Sequence, residues 1–124
     1  GTLWENIELG RKGIQHADVI QLAKELGFEN FLEHFPNGFD TVLDPTGKKI
    51  PFTNTKKILL LRALVNAPKL LLMEEPWNDL GKDLKEKVMT YFLQLKNTTC
   101  IIISNDQEFA LKCDQQLTLI NGTL

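Results

Sequence analysis

Two adjacent carboxylates follow an apolar run in the middle of this 124-residue chain. The run is "KLLLM" at 69–73, and Glu74 and Glu75 come directly after it. One carboxylate of such a pair can hold Mg²⁺, directly or through water, and its neighbour can polarise an attacking water. Adjacent acids that open a loop are also common as solvated charges, or as acids favoured near a helix start. The pair alone therefore leaves a catalytic and a structural interpretation open.

The elements around the pair determine where the carboxylates lie. The apolar segments 69–73 and 99–104 do not alternate with polar residues, which predicts strands buried on both faces. A third strand is predicted over 116–120, before an "NG" hairpin turn at 121–122. Between the first two strands, 82–95 predicts an amphipathic helix with its apolar residues on one face.

Strands that alternate with helices predict an α/β fold with a parallel sheet. Ligands of such a sheet lie off the carboxyl ends of its strands. Glu74 and Glu75 lie at one such end, and Asn105 directly follows the second strand. The sequence therefore predicts that these three residues meet at one edge of the sheet.

The first half of the chain predicts helices. Apolar residues recur at helical spacing over 19–26, and Gly27 follows as a stop signal. A short helix is predicted over 30–34 and a buried helix over 56–64. The candidate N-terminal caps of this last helix are Thr53, Asn54 and Thr55.

Composition excludes several classes of protein. The chain is 43% hydrophobic and 24% charged, which is typical of a globular domain. Its net charge of −2 gives no electrostatic case for binding nucleic acid. An apolar run such as 58–61 is far shorter than the roughly 20 residues of a membrane span. Cys100 and Cys113 lack metal-ligand spacing and are expected to be buried thiols, with a disulfide as the alternative.

Five segments, in order and without gaps, resemble the ATPase domain of ATP-binding cassette (ABC) transporters of the exporter type. The central one surrounds the Walker B motif of that family. The others resemble the stretch after the Q-loop, the approach to the signature motif, the strand before the switch histidine, and the strand and hairpin that follow. They read "GTLWENIELG" (1–10), "FPNGFDTVL" (35–43), "RALVNAPKLLLMEEPWNDL" (62–80), "TTCIIIS" (98–104) and "DQQLTLINGTL" (114–124).

The resemblance implies a partial P-loop NTPase-like fold that uses ATP and Mg²⁺ in its full-length context. Residues 1–64 would be the helical, signature-bearing subdomain, and 65–124 the later part of the α/β core. Glu74 falls on the metal position, where it would hold Mg²⁺ through water in place of the family's aspartate. Glu75 falls on the general-base position, and Asn105 replaces the switch histidine.

Two motifs of the family are degenerate in this chain. The D-loop position, at Asn78, Asp79, Leu80 and Gly81, keeps only the leucine. The signature position falls on Ile50, Pro51, Phe52, Thr53 and Asn54, and it lacks the glycines that let a helix N-terminus approach a partner's nucleotide. A plain loop that ends in a helix cap is the alternative interpretation of this stretch.

The chain contains neither G-x-x-x-x-G-K-[ST] nor a Q-loop glutamine, so it resembles the C-terminal portion of a cassette. The isolated chain is therefore expected to bind no cofactor and to be inactive. The resemblance implies a second ATPase domain and a transmembrane domain as partners. It also implies a place on the cytoplasmic side of a membrane, the inner membrane in a bacterium. Exposed sheet edges predict self-association, strand exchange or a rearranged third strand.

Two other interpretations of the whole chain compete with a catalytic cassette. One is a regulatory cassette half that pairs with a competent ATPase domain, which Asn105 and the signature position favour. The other is an unrelated small α/β interaction domain.

Trp4 and Trp77 are expected to be packing residues, since the family's adenine-stacking aromatic lies upstream of this region.

Overall fold

A computed structural model describes residues 1–46, 50 and 52–123, leaving aside the side chain of Phe52. Within these residues, helices fill the first half and a small sheet with flanking helices forms the second. The helices are α1 (Leu3–Glu8), α2 (His16–Glu25), α3 (Phe52–Leu64), α4 (Lys82–Gln94) and α5 (Gln107–Leu111), with 3-10 turns at Phe31–His34 and Gly38–Asp40. The strands are β1 (Leu70–Glu74) and β2 (Thr99–Ile103).

Local sequence explains where α1 begins and where α2 ends. The hydroxyl of Thr2 accepts a hydrogen bond from the amide of Glu5, whose carboxylate accepts one from the Thr2 amide. This reciprocal capping box supplies acceptors for N–H groups that have no partner inside the helix. Helix α2 ends before Gly27, which has a left-handed φ of 85°. The predicted stop signal is confirmed, because glycine takes this conformation without steric cost.

Helix α3 begins earlier than the sequence predicts, so the proposed caps are wrong. The helix starts at Phe52, and the three candidate cap residues lie inside its first turn. Asn54 is only 4% exposed, in line with the buried Ile58 and Leu61. Spacings of four and three residues place these side chains on one helix face. The buried face therefore extends one turn beyond the apolar pattern, with a polar amide as its first member.

Strands β1 and β2 pair in parallel, as predicted. Their register runs from Leu70 opposite Thr99 to Glu74 opposite Ile103. One more hydrogen bond follows, from the Glu75 amide to the Ile103 carbonyl, at 2.8 Å. The parallel connection passes through α4, whose Val88 and Phe92 face the core.

The prediction that both faces of these strands are buried is wrong. Leu71 is 6% exposed and belongs to the core, whereas Leu72 is 65% exposed. On β2, Ile101 and Ile103 are 54% and 65% exposed. Core side chains from the helices cover one face, and no residue of the described ranges covers the other. Missing alternation shows only that both faces are apolar, and it does not reveal which elements cover them.

The predicted third strand does not join the sheet. In the described part of the chain the sheet contains β1 and β2 alone, and Leu117 and Leu119 are 78% and 67% exposed. Among the described residues, the segment therefore lacks the neighbouring strand that it would need in order to bury these leucines. The turn prediction is confirmed: Asn121 and Gly122 have left-handed φ values, and Ile120 bridges to Thr123 around them.

One hydrophobic cluster joins the helices to the inner face of the sheet. Trp77 is 2% exposed and meets the Phe109 ring at a centroid distance of 4.6 Å. Trp4 packs against Phe39 at 5.4 Å, so both tryptophans pack as predicted.

The two cysteines are free thiols, and burial raises the pKa of each. Among the described residues, no helix has the length and apolar character to cross a membrane.

Candidate functional site

Glu74 and Glu75 leave β1 in different environments. Glu74 is the last residue of the strand and its side chain is exposed. Glu75 has a left-handed φ of 42°, which is uncommon for a residue other than glycine. Its side chain is half-buried and makes hydrogen bonds with the segment after β2. The two carboxylates are therefore not equivalent: one is solvated, and the other is held by protein donors.

The Glu75 carboxylate contacts the segment that carries Asn105. Oε1 accepts a hydrogen bond from the Asn105 amide at 2.6 Å, and Oε2 accepts one from Ser104 Oγ at 3.2 Å. Ser104 Oγ in turn accepts a hydrogen bond from the Asp106 amide at 3.0 Å. The structure thus brings together the general-base and switch positions, as the strand-end argument predicts. The contact is made by the Asn105 backbone.

Asp106 and Lys85 complete the surroundings of the site, and sequence reasoning did not single them out. Asp106 caps α5 by accepting a hydrogen bond from the Phe109 amide at 2.9 Å. It also pairs with Lys85 of α4, with 2.8 Å between Nζ and Oδ2. The hydrogen bond from Lys85 holds the pKa of Asp106 below its ordinary value. Aspartate three residues before an apolar helix residue is a cap signal, and that signal could have identified Asp106.

The four D-loop positions form the connection from β1 to α4. The Asn78 amide donates to the Glu75 carbonyl at 3.1 Å, which closes a turn just after the carboxylates. Leu80 is 5% exposed and belongs to the core. Asn78, Asp79 and Gly81 are exposed. The leucine therefore anchors the loop, and the polar positions face solvent beside the site.

The signature position lies at the start of α3, and only part of it is described. Ile50 is half-buried, Thr53 is exposed and Asn54 is buried. Pro51 and the Phe52 side chain lie outside the described residues. No hydrogen bond or ion pair found in the described parts of the chain links this stretch to Glu75. The structure therefore does not bring the signature position to the carboxylate site within this chain.

The acidic residues fit a shared magnesium site better than a self-contained one. Across the described ranges, no three His, Cys, Asp or Glu side chains form a group able to hold a metal ion. Mg²⁺ commonly keeps several waters and binds one or two carboxylates together with substrate phosphates. The exposed Glu74 fits a single contribution of that kind. Glu75 already has a protein donor on each oxygen, and it fits the contact to water.

Comparisons with known proteins show which proteins this chain resembles. A structure of a bacterial Atm1-family ABC exporter with ATP bound superimposes with a TM-score of 0.83 and 27% identity, over 99% of this chain. Multidrug resistance protein pgp-1 of Caenorhabditis elegans is 30% identical over 98% of the chain. The uncharacterized ABC transporter ATP-binding protein YfiB of Bacillus subtilis is 29% identical over all of it. No family model matches the sequence.

The chain is thus homologous to ABC transporter ATPases, with their P-loop NTPase fold. More particularly, it is similar to part of a bacterial ABC exporter. It spans only 9% of the nematode protein and 22% of the Bacillus protein. It likewise covers 22% of the exporter chain in the solved structure. The matched region is therefore a part of one domain in much longer proteins.

Proposed function

We propose that this chain supplies the general-base carboxylate to the ATPase domain of an ABC exporter. The parent protein would couple ATP hydrolysis to transport across a membrane. The observation that carries the proposal is the placement of Glu75 at the carboxyl end of β1, bonded to the segment that holds Asn105. Its relatives are ABC transporter ATP-binding proteins, which supports the same assignment.

In this proposal the two carboxylates have separate tasks. Glu75 accepts a hydrogen bond from the attacking water and orients it, since a carboxylate at this edge faces the ligand side of a parallel sheet. Glu74 is exposed and contacts a metal-bound water. When Mg-ATP is bound, the nucleotide would supply the phosphoryl group, and Mg²⁺ would neutralise the negative charge on the phosphates. The polar D-loop residues Asn78 and Asp79 are exposed beside the site and face a partner domain.

The chain divides, in the same proposal, into two functional parts. Residues 1–64 form the helical part that carries the signature position, and 65–124 form the later portion of the α/β core. The partners are a second ABC ATPase domain and the transmembrane domain of the exporter. The domain would work on the cytoplasmic side of that membrane, which is the inner membrane if the source is a bacterium.

A regulatory cassette half is the second candidate, and two observations favour it. Asn54, at the last signature position, is 4% exposed, so its amide is not presented to a partner's nucleotide. Asn105 can donate a hydrogen bond but cannot carry a positive charge. Such a half would pair with a competent ATPase domain and complete its site without turning over ATP at its own.

The isolated chain is proposed to self-associate through its sheet. Both strands of the described sheet have an outer edge without a neighbouring strand. Large apolar side chains of β1 and β2 are also more than half exposed. Open strand edges and apolar patches recruit other chains. In the complete domain, other parts of the polypeptide would cover these surfaces.

Phosphate release by a chimera tests the catalytic proposal. The part of YfiB that precedes the region matched by this chain would be joined in frame before it. We expect Mg-ATP hydrolysis by the chimera and a loss of about 100-fold or more in Glu75→Gln, since general-base catalysis contributes that much. Glu86→Gln changes an exposed glutamate of α4 and is the matched control.

Three results distinguish the candidates. Turnover that falls in Glu75→Gln but not in Glu86→Gln supports the catalytic cassette. Turnover that is equal in all three proteins overturns the role of Glu75. A chimera that binds Mg-ATP but hydrolyses none, with or without Glu75, favours the regulatory half.

A further inference from the structure

Glu75 adopts a backbone conformation that is costly for any residue except glycine. Its φ of 42° lies in the left-handed region, and this backbone conformation costs a residue other than glycine about 1 kcal/mol or more. Its N–H donates to the Ile103 carbonyl at 2.8 Å, and its C=O accepts from Asn78 at 3.1 Å. The backbone is therefore fixed on both sides. A glutamate at a position that glycine would occupy without strain indicates that the carboxylate offsets the cost.

The carboxylate makes two hydrogen bonds, one on each oxygen. The donors are the Ser104 hydroxyl and the Asn105 amide. Hydrogen bonds to an ionised acceptor are stronger than those between neutral groups. Two donors on different oxygens fix both the position and the rotation of the carboxylate plane. The orientation of Glu75 is thus set by the segment after β2.

The Asn105 side chain takes no part in this orientation. Its backbone amide bonds to Glu75, and its side chain makes no hydrogen bond to any described residue. Ser104 also accepts from the Asp106 amide, so its hydroxyl proton is directed towards Glu75. Asp106 is itself fixed by Lys85 and by the first turn of α5. A chain of contacts therefore runs from α4 through Ser104 to the carboxylate.

We propose that Ser104 is the positioning residue for Glu75 and that the two side chains form a latch between the ends of β1 and β2. The catalytic meaning of this latch rests on the proposed function, in which Glu75 is the general base. The latch itself is tested without nucleotide, so its failure is distinguishable from a failure of that function.

The Asn105 amide reports on the latch, because it donates to the Glu75 carboxylate and makes no hydrogen bond to the Ser104 side chain. Its protection factor against hydrogen exchange would be measured by NMR. Glu75→Gly removes the carboxylate while allowing the left-handed backbone, and we expect about tenfold lower protection. Ser104→Ala is expected to lower protection several-fold, and Ser104→Thr, which keeps the hydroxyl, to restore it. Glu74→Gln is the matched control and should change protection less than twofold.

A double variant separates the latch from a general loosening of the loop. If Ser104 acts through the carboxylate, Ser104→Ala has no further effect on the Asn105 amide in the Glu75→Gly background. Unchanged protection in Ser104→Ala overturns the proposal. An equal loss with and without Glu75 also overturns it. Amides in the middle of α3, such as those of Leu60 and Leu61, serve as the internal standard for global stability.

Discussion

Asp106 joins three elements at the edge of the candidate site. It caps α5, pairs with Lys85 of α4 and donates its amide to Ser104. Asp106 helps to decide the local geometry, although it falls on none of the motif positions assigned from the sequence. At the scale of single residues, the site is held together by groups next to the motif positions.

Asp106→Ala is expected to lower the free energy of unfolding by about 1 kcal/mol, since it removes a helix N-cap. Urea denaturation followed by circular dichroism would measure the change. Asp114→Ala, an exposed acid just beyond α5, is the control and should lie within about 0.5 kcal/mol of the parent. Equal stability of the two variants would show that the cap and ion pair contribute nothing.

The same aspartate predicts a dependence of stability on pH. Its pKa is lowered in the folded chain, first by the hydrogen bond from Lys85 and then by that from the Phe109 amide. The contribution is therefore present above the ordinary aspartate pKa of about 3.9 and is lost as pH falls through the lower folded value. Denaturation midpoints measured from pH 6 to pH 2 should fall more for the parent than for Asp106→Ala. Parallel curves would contradict this.

At the scale of elements, the sequence predicts which strands pair but not what covers them. The helix between two apolar runs is enough to predict parallel pairing of β1 and β2, because such a crossover is the usual connection. The exposure of Leu72 and Ile101 could not be predicted, because an apolar residue does not specify its neighbour. The same limit applies to residues 116–120, whose strand pattern needs a partner that the described sheet does not supply.

The two faces of β1 are expected to respond differently to truncation. Leu71→Ala removes a core side chain and should cost about 2–5 kcal/mol of unfolding free energy. Leu72→Ala removes an exposed side chain one position further and should change stability by less than about 0.5 kcal/mol. Chemical denaturation of both variants gives the comparison. Similar losses in the two, at a protein concentration where the chain is monomeric, would contradict the exposure of the outer face.

The candidate site was predictable only in part, because the sheet topology determines which strand ends meet but not which atoms make the contacts. The carboxyl ends of parallel strands meet at one edge, which brings Glu75 and Asn105 together from sequence alone. The bond through the Asn105 amide and the role of Ser104 depend on the left-handed turn at Glu75. No glycine or turn motif at that position signals such a turn, so it could not be predicted from the residues alone.

For the molecule as a whole, the exposed sheet predicts association of the isolated chain. Sedimentation velocity should show dimers or larger species that increase with concentration. Leu72→Lys places a charge in the exposed apolar face and should shift the distribution towards monomer. Ile20→Lys, on the partly exposed side of α2, is the control and should not. A parent chain that stays monomeric at high concentration would contradict the proposal.

The central claim is that these 124 residues contribute a general-base carboxylate to an ATPase domain and do not hold the nucleotide themselves. Phosphate binding needs a nest of backbone N–H groups and a lysine, and the sequence contains no such loop motif. Phosphate release from Mg-ATP by the isolated chain is the most direct test. We predict no turnover above background and a dissociation constant weaker than about 1 mM, or about −4 kcal/mol of binding free energy. Turnover by the chain that disappears in Glu75→Gln would contradict the account.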